Sequence, residues 1–338
     1  MGSILIKNIK ILYGIQTQPL SFKKGAAMSV VDTLENAFII TDNGKILDFG
    51  PVNEAPERAD EIVDASDRLV MPCWCDSHTH IVYAAPREGE YVDRLRGASY
   101  EEIAEKGGGI LNSARKLQET SEEDLFFSAA SRLNEVISYG TGAIEIKSGY
   151  GLTTESELKM LKIIRKLKES SPATIKASFL GAHAIPAMYK ENRHLYIDLL
   201  IHEMIPKVAG EGLADYCDVF CDKGFYTVEE TDKILKAAAK YGLKAKIHAN
   251  ELAISGGVQI GISNHAVSVD HLEAIGNEEI DALKHSNTIP TVLPSCSFFL
   301  NINYAPARKM IDEGLGIAMA TDYNPGSSPS GNIQMLMA

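Results

Sequence analysis

Eight short apolar runs, each separated from the next by a longer charged or amphipathic stretch, constrain this chain more than any other feature. They cover 69–80, 141–150, 174–184, 215–222, 243–251, 265–272, 288–296 and 316–325. Runs of this length, rich in β-branched residues and lacking polar alternation, read as strands buried on both faces of a parallel sheet. The segments between them read as helices. SEEDLFFSAASRLNEVISYG opens on Ser121 at a capping position ahead of Glu and Asp, and it closes on a glycine, as does TVEETDKILKAAAKYG. Eight such units predict an α/β fold in the form of a closed, TIM-like (β/α)8 barrel. The polar residues gather at the C-terminal ends of the runs: His78 and His80, Tyr150, His183, His248 with Glu251, His271, and Asp322. That rim is where barrels place their chemistry. A doubly wound open sheet needs a glycine-rich phosphate loop after its first strand. Gly107-Gly108-Gly109 instead follows a helical pattern, so it fails that test.

Ahead of the barrel, residues 1–66 read as a small β domain of sandwich type. ILIKNIKIL alternates at the strand period. NAFIITDNGKILDFG is a hairpin about Asn43-Gly44, and Glu61–Asp64 is a further short strand. The expected division is therefore 1–66 and 67–338. The chain stops soon after the eighth run, with few residues for a helix to follow, and the expectation is a C-terminal truncation that also leaves the small domain without its return strands. The sequence holds 33 Lys and Arg against 45 Asp and Glu, a net charge of −12. That balance argues against nucleic acid or an anionic membrane as the main partner. No stretch is long and apolar enough to span a bilayer. The five cysteines, Cys73, Cys75, Cys217, Cys221 and Cys296, are odd in number and lack zinc-finger pairing, so they are expected as reduced thiols in the cytoplasm. Cys73, Cys75, Cys217 and Cys221 are read as buried structural thiols.

His78-Thr79-His80 is the strongest local signal for chemistry. At the end of an extended strand, residues i and i+2 point the same way, so the two imidazoles can share one divalent ion. His248 and Asp322 are the best third and fourth ligands, Asp322 being readable also as a helix cap ahead of Asn324-Pro325. Such an ion lowers the pKa of a bound water to about 7. Glu251, three residues beyond His248, could take the proton of that water and pass it to a leaving nitrogen. His271 could orient the water or meet developing negative charge, or could be a hydrogen-bonded core histidine. Asp270 is read as structural, because successive strand residues point apart. His183 could donate to a substrate carbonyl. Arg87 is either a clamp for a substrate carboxylate or a solvated surface residue.

With these residues in place, the chain resembles the amidohydrolase superfamily and, within it, the imidazolonepropionase family. The motifs that carry the likeness are Asp76-Ser77-His78-Thr79-His80, Lys106-Gly107-Gly108-Gly109-Ile110, Glu145 through Leu152, Gly181-Ala182-His183-Ala184, Asp270-His271-Leu272, and Ala320 through Ser327. The resemblance implies a hydrolase that opens 4-imidazolone-5-propanoate, a small anionic cyclic amide, to N-formimidoyl-L-glutamate in histidine degradation. It implies one Zn2+ or Fe2+/Fe3+ ion held by His78, His80, His248 and Asp322, with catalysis by Glu251 and His271. It implies substrate contacts from Arg87, Tyr150, His183, Asn324, Gly326 and Ser327, and a possible homodimer. Dinuclear relatives carry a modified lysine on the fourth strand, and DYCDVFCD has none. A purine or pyrimidine deaminase of the same superfamily, and a metal-binding but inactive truncated barrel, are the alternatives.

Overall fold

A computed structural model describes residues 2–16, 18, 20–97 and 108–337. Contacts divide the chain into two compact units, Met1–Cys73 and Trp74–Ala338.

The first unit is a five-stranded sheet. β1 (Ile4–Tyr13) pairs antiparallel with β2 (Thr33–Asp42), which turns through Asn43-Gly44 into β3 (Lys45–Pro51). Both turn residues have positive φ, the conformation that Asn-Gly adopts most readily. β4 (Glu61–Asp64) and β5 (Leu69–Val70) both run parallel to β1. The apolar run 69–80 therefore does not form one strand. Leu69 and Val70 complete the small sheet, and the barrel strand begins at Trp74, after Pro72.

The second unit is a parallel eight-stranded sheet whose strands follow one another in chain order. They are β6 (Trp74–Thr79), β7 (Thr141–Lys147), β8 (Thr174–Ala182), β9 (Tyr216–Cys221), β10 (Lys244–Ala249), β11 (Ser268–His271), β12 (Ile289–Val292) and β13 (Ala318–Met319). A parallel bridge between Thr79 and Tyr323 brings the ends together. Asp322 N–H donates to His78 O at 3.0 Å and His80 N–H to Tyr323 O at 2.8 Å, so closure occurs at the residues of interest. Helices separate the strands as the pattern predicts. Glu122–Ser138 is capped by Ser121, whose hydroxyl accepts from Asp124 N–H, and buries Leu125, Ala129, Leu133 and Val136 along one stripe. Val228–Ala239 begins with a Thr227–Glu230 capping box.

Strand alternation divides the barrel's contents. Ile144, Ile146, Val219, Ile247 and Val269 belong to the apolar layer shared with the helices. Their strand neighbours Glu145, Lys147, Asp218, Lys246 and Asp270 meet one another in the interior. Barrel interiors are ordinarily filled with branched aliphatic residues. Here a buried ionic network lies beneath the rim, and such a network is tolerable only when its members are paired.

Candidate active site

Four ligand atoms converge at the C-terminal rim. His80 Nε2 lies 3.3 Å from His78 Nε2 and 3.4 Å from His248 Nε2. Asp322 Oδ1 is 3.5 Å from both His78 Nε2 and His80 Nε2. An ion with four ligands at about 2.0–2.1 Å in a tetrahedron has ligand–ligand edges of about 3.3–3.4 Å. Those four separations match such edges, so His78, His80 and Asp322, with His248 against His80, suit a single divalent ion of zinc size. Burial, reinforced by neighbouring cationic groups, holds His78 and His80 well below the usual imidazole range, and burial also lowers His248. Neutral imidazole is the metal-binding form.

The network beneath fixes these rings. His78 Nδ1–H donates to Asp270 Oδ2 at 2.7 Å, and His248 Nδ1–H donates to Asp218 at 3.1 Å. Each carboxylate thus leaves the Nε2 lone pair facing the rim. Lys147 Nζ bonds Asp218 Oδ2 and Glu145 Oε1, both at 2.7 Å, and lies 3.9 Å from Asp270 Oδ2. Lys246 Nζ is 3.2 Å from the same Asp270 oxygen. The reading of Asp270 as merely structural is thereby corrected. Alternation aims Asp270 inward, and His271 reaches the rim as well because its φ of 90° turns the chain out of the strand conformation. Asp322 also departs from strand geometry, at φ 54°. Asp76 positions it, because its carboxylate accepts from the N–H and hydroxyl of Thr321 at 3.0 and 2.6 Å. No helix follows Asp322 directly, so the cap reading falls away.

Glu251 stands to one side. Its N–H donates to Asp222 Oδ2 at 2.8 Å, which holds the loop against β9. Burial pushes its carboxyl up to about 7. His271 Nε2 lies 3.7 Å from Glu251 Oε2, and His271 Nδ1 lies 3.6 Å from Glu273 Oε2. Despite burial, those two carboxylates raise His271 well above its ordinary value. His183 stacks on His80 at 5.3 Å and is tilted against Tyr150 at the same distance. Burial lowers it to about 3, and its Nδ1 bonds Gly149 O at 3.0 Å. Gly149, at φ 111°, allows that approach, since a Cβ would lie 2.9 Å from the ring nitrogen. A neutral ring that donates from Nδ1 has only a lone pair at Nε2. Such a ring can accept an N–H there.

The cavity enclosed by these groups has a volume of ≈ 170 Å³ and is lined also by Arg87, Arg94, Phe220, Phe225, Leu300, Ile302, Asn324 and Ser327. A larger cavity of ≈ 840 Å³, between Val292 and Leu336, contains none of the histidines. The Arg87 side chain is 9 % exposed. Its Nε is 3.3 Å from Glu90 Oε2, and its Nη1 has no hydrogen-bond partner among the described residues. The guanidinium lies so close to Gly326 that a Cβ there would be 1.5 Å from Nη2. The Gly326 and Ser327 N–H groups both donate to Asn324 Oδ1 at 2.8 Å, so in this structure they serve the loop.

Sequence reasoning missed Asp218 as the partner of His248, Lys147 between the carboxylates, the Phe220–Phe225 stack at 3.9 Å and the position of Cys296. Inward alternation along β9 could have found Asp218 and Phe220. None of the five cysteines is in a disulfide, and Cys73 and Cys75 are exposed rather than buried, while Cys296 Sγ lies 4.0 Å from Glu251 Oε1. Lys106 and Gly107 of the glycine motif lie outside the described residues.

No family model matches the chain. Solved structures share its fold. A triazine hydrolase variant superposes with a TM-score of 0.73 at 16% identity, covering 98% of this chain and 73% of that one. Guanine deaminase from C. acetobutylicum gives 0.66 at 15%, covering 96% and 76%. Fold and rim together define a (β/α)8 barrel with a histidine-rich rim that could hold a metal ion. Sequence relatives specify it further. The chain is 55% identical over 335 residues to the imidazolonepropionase of Flavobacterium johnsoniae, covering 99% of this chain and 82% of the relative. It is 42% identical over 339 residues to that of Thermoanaerobacter pseudethanolicus, covering 100% and 80%. The chain belongs to the imidazolonepropionase family.

Proposed function

We propose that this chain hydrolyses the ring amide of 4-imidazolone-5-propanoate to N-formimidoyl-L-glutamate, a step of histidine degradation, with one Zn2+ or Fe2+/Fe3+ ion held by His78, His80, His248 and Asp322. The observation that carries the reading is the cluster of His78, His80 and Asp322 ligand atoms 3.3–3.5 Å apart, with His248 Nε2 3.4 Å from His80 Nε2, beside a carboxyl poised at about 7. A solved relative of the same fold, atrazine chlorohydrolase, contains zinc. Bound there, such an ion supplies a nucleophilic hydroxide at neutral pH and polarises a carbonyl.

The chain's own groups do the rest. Glu251, ionised, accepts the proton of the attacking water and returns it to the ring nitrogen as the C–N bond breaks. His271, held cationic by Glu251 and Glu273, donates toward the oxygen on which negative charge develops. His183 accepts a ring N–H at Nε2, and Tyr150 lies across from it. Arg87 clamps the propanoate through Nη1, which has no hydrogen-bond partner among the described residues. Asn324, Gly326 and Ser327 support the carboxylate end by shaping the loop against which Arg87 lies. Arg87 Nη1, buried and without a hydrogen-bond partner among the described residues, favours an anionic cyclic amide over a neutral purine or pyrimidine base.

A homodimer, a cytoplasmic setting and the absence of a nucleic-acid partner belong to the same reading. Five cysteines outside any disulfide suit a reducing compartment, and a net charge of −12 disfavours polyanions. Among the described residues no helix is long and apolar enough to cross a membrane. Sedimentation equilibrium at twice the chain mass would support the dimer. The activity is tested by following loss of the imidazolone chromophore. Loss that a chelator abolishes, without ammonia release, is the expected result. Ammonia release with the ring intact would replace this reading with a deaminase.

A further inference from the structure

Beside Glu251 and His271 lies a buried thiol for which the proposed hydrolysis has no use. Cys296 lies in the first turn of the helix Pro294–Leu300 and is fully buried. It packs against Leu293 and Ala320, and polar groups approach its sulfur from the other side. Sγ is 4.0 Å from Glu251 Oε1, and the thiol also contacts His271 and the Asp322 carboxyl. One ligand atom from each of Glu251, His271 and Cys296 lies within 4.8 Å of the other two. Glu273 Oε2, buried and without a hydrogen-bond partner among the described residues, faces the far side of the His271 ring at 3.6 Å. Two carboxylates, Glu251 and Glu273, thus flank the imidazole from opposite nitrogens.

We propose that Glu251, His271 and Cys296 form a second cation site, distinct from His78, His80, His248 and Asp322, which takes a borderline or soft divalent ion such as Zn2+ or Cd2+ and halts hydrolysis when filled. One carboxylate oxygen, one imidazole nitrogen and one sulfur form a donor set selective for such ions over Mg2+ or Ca2+. With metal–sulfur bonds of about 2.3 Å and metal–nitrogen or metal–oxygen bonds of about 2.0–2.2 Å, ligand edges are about 3.3–3.6 Å. His271 Nε2 lies 3.7 Å from Glu251 Oε2 and Cys296 Sγ lies 4.0 Å from Glu251 Oε1, so the carboxylate must turn to bring one oxygen to both, and the three ligand atoms must close in from separations of up to 4.8 Å. On binding, the thiol proton and the Nε2 proton of the cationic His271 leave to solvent as the sulfur–metal and nitrogen–metal bonds form, and nothing is oxidised or reduced. Occupation engages Glu251 and the His271 Nε2, so neither can move a proton. The inhibitory half of the proposal rests on the function proposed above, but the binding half does not.

The test uses protein already loaded with one equivalent of metal. It carries Cys73→Ser and Cys75→Ser to remove the exposed thiols. Titration with Cd2+ should produce a thiolate-to-cadmium absorbance that saturates at one further equivalent, with turnover lost in parallel. Adding Cys296→Ser or Cys296→Ala should abolish the band, retain basal turnover and raise the Zn2+ concentration for half-inhibition at least tenfold. Mg2+ should do neither. A band that survives both substitutions, or Zn2+ inhibition unchanged by them, overturns the proposal. Cadmium NMR of the unsubstituted chain reads the donor set without any variant, and a second resonance lacking sulfur ligation would likewise refute it. If the band depends on Cys296 but no cyclic amide is turned over, the cation site stands and the functional reading fails.

Discussion

Replacing Gly326 by alanine isolates the role of Arg87 without touching it. The new Cβ would lie 1.5 Å from Arg87 Nη2 and 2.0 Å from Cζ. Ordinary contact begins near 3.4 Å, so the guanidinium must withdraw by about 1.9 Å. Backbone strain is not at issue, because Gly326 is not among the residues with positive φ. A displacement of that size breaks a charge-assisted hydrogen bond to the substrate carboxylate, worth about 1.5–3 kcal/mol. At about 1.4 kcal/mol per tenfold, KM for the propanoate substrate should rise about ten- to 150-fold. kcat should change little, because the reacting ring is held elsewhere, and an uncharged propanamide analogue should show no such rise. Steady-state kinetics on both substrates provides the measurement. The decisive control is the double-mutant cycle with Arg87→Met, in which Gly326→Ala should have no further effect. An unchanged KM, an equal rise for the neutral analogue, or additive effects in the cycle would refute the clamp.

Three further outcomes follow from the geometry. Asp270→Ala removes the acceptor of His78 Nδ1–H and should weaken metal binding about 10- to 100-fold, measured by competition with a chromophoric chelator; unchanged affinity would mean that packing alone holds the ring. Glu251 must be ionised to accept a proton, and burial has pushed it up to about 7. kcat/KM should therefore fall about tenfold per unit as pH drops below about 7, and a limb near the ordinary glutamate value would contradict the assignment. Lys147→Met leaves Glu145 and Asp218 buried without their shared ammonium. It should cost about 3–5 kcal/mol in urea unfolding, and a loss below about 1 kcal/mol would show that the network does not depend on it.

The barrel was legible because its signal is redundant. Eight buried strands repeat one pattern, and an error in any one leaves the count standing. The run 69–80 shows the limit of that signal. Apolar composition marks burial but not which sheet provides it, and Leu69–Val70 found partners on β1 while Trp74–Thr79 found them on β7. The thiols show the same limit. Cys73 and Cys75 have the composition of a buried strand, yet they lie exposed where that run divides.

The site was legible where strand periodicity holds and illegible where the chain leaves it. His78 and His80 point together because residues two apart on a strand do, and Asp270 should have been placed inward by the same rule. The obstacle was its neighbour. Treating both Asp270 and His271 as strand residues forces one of them away from the rim, whereas the observed φ of 90° at His271 admits both. Positive φ recurs at Asn250 and Asp322, the residues just before Glu251 and at the last proposed ligand position. Non-glycine residues hold that conformation only when the surroundings compensate. Here the compensation is specific. Asn250 Nδ2–H donates to Ala274 O at 3.1 Å, and Asp322 N–H donates to His78 O at 3.0 Å. These bonds join residues 24 and 244 positions apart in the chain, so no local window of sequence contains both halves of the arrangement. The ligand types can be read one residue at a time, but their convergence depends on strand ends that bend only because the barrel has closed.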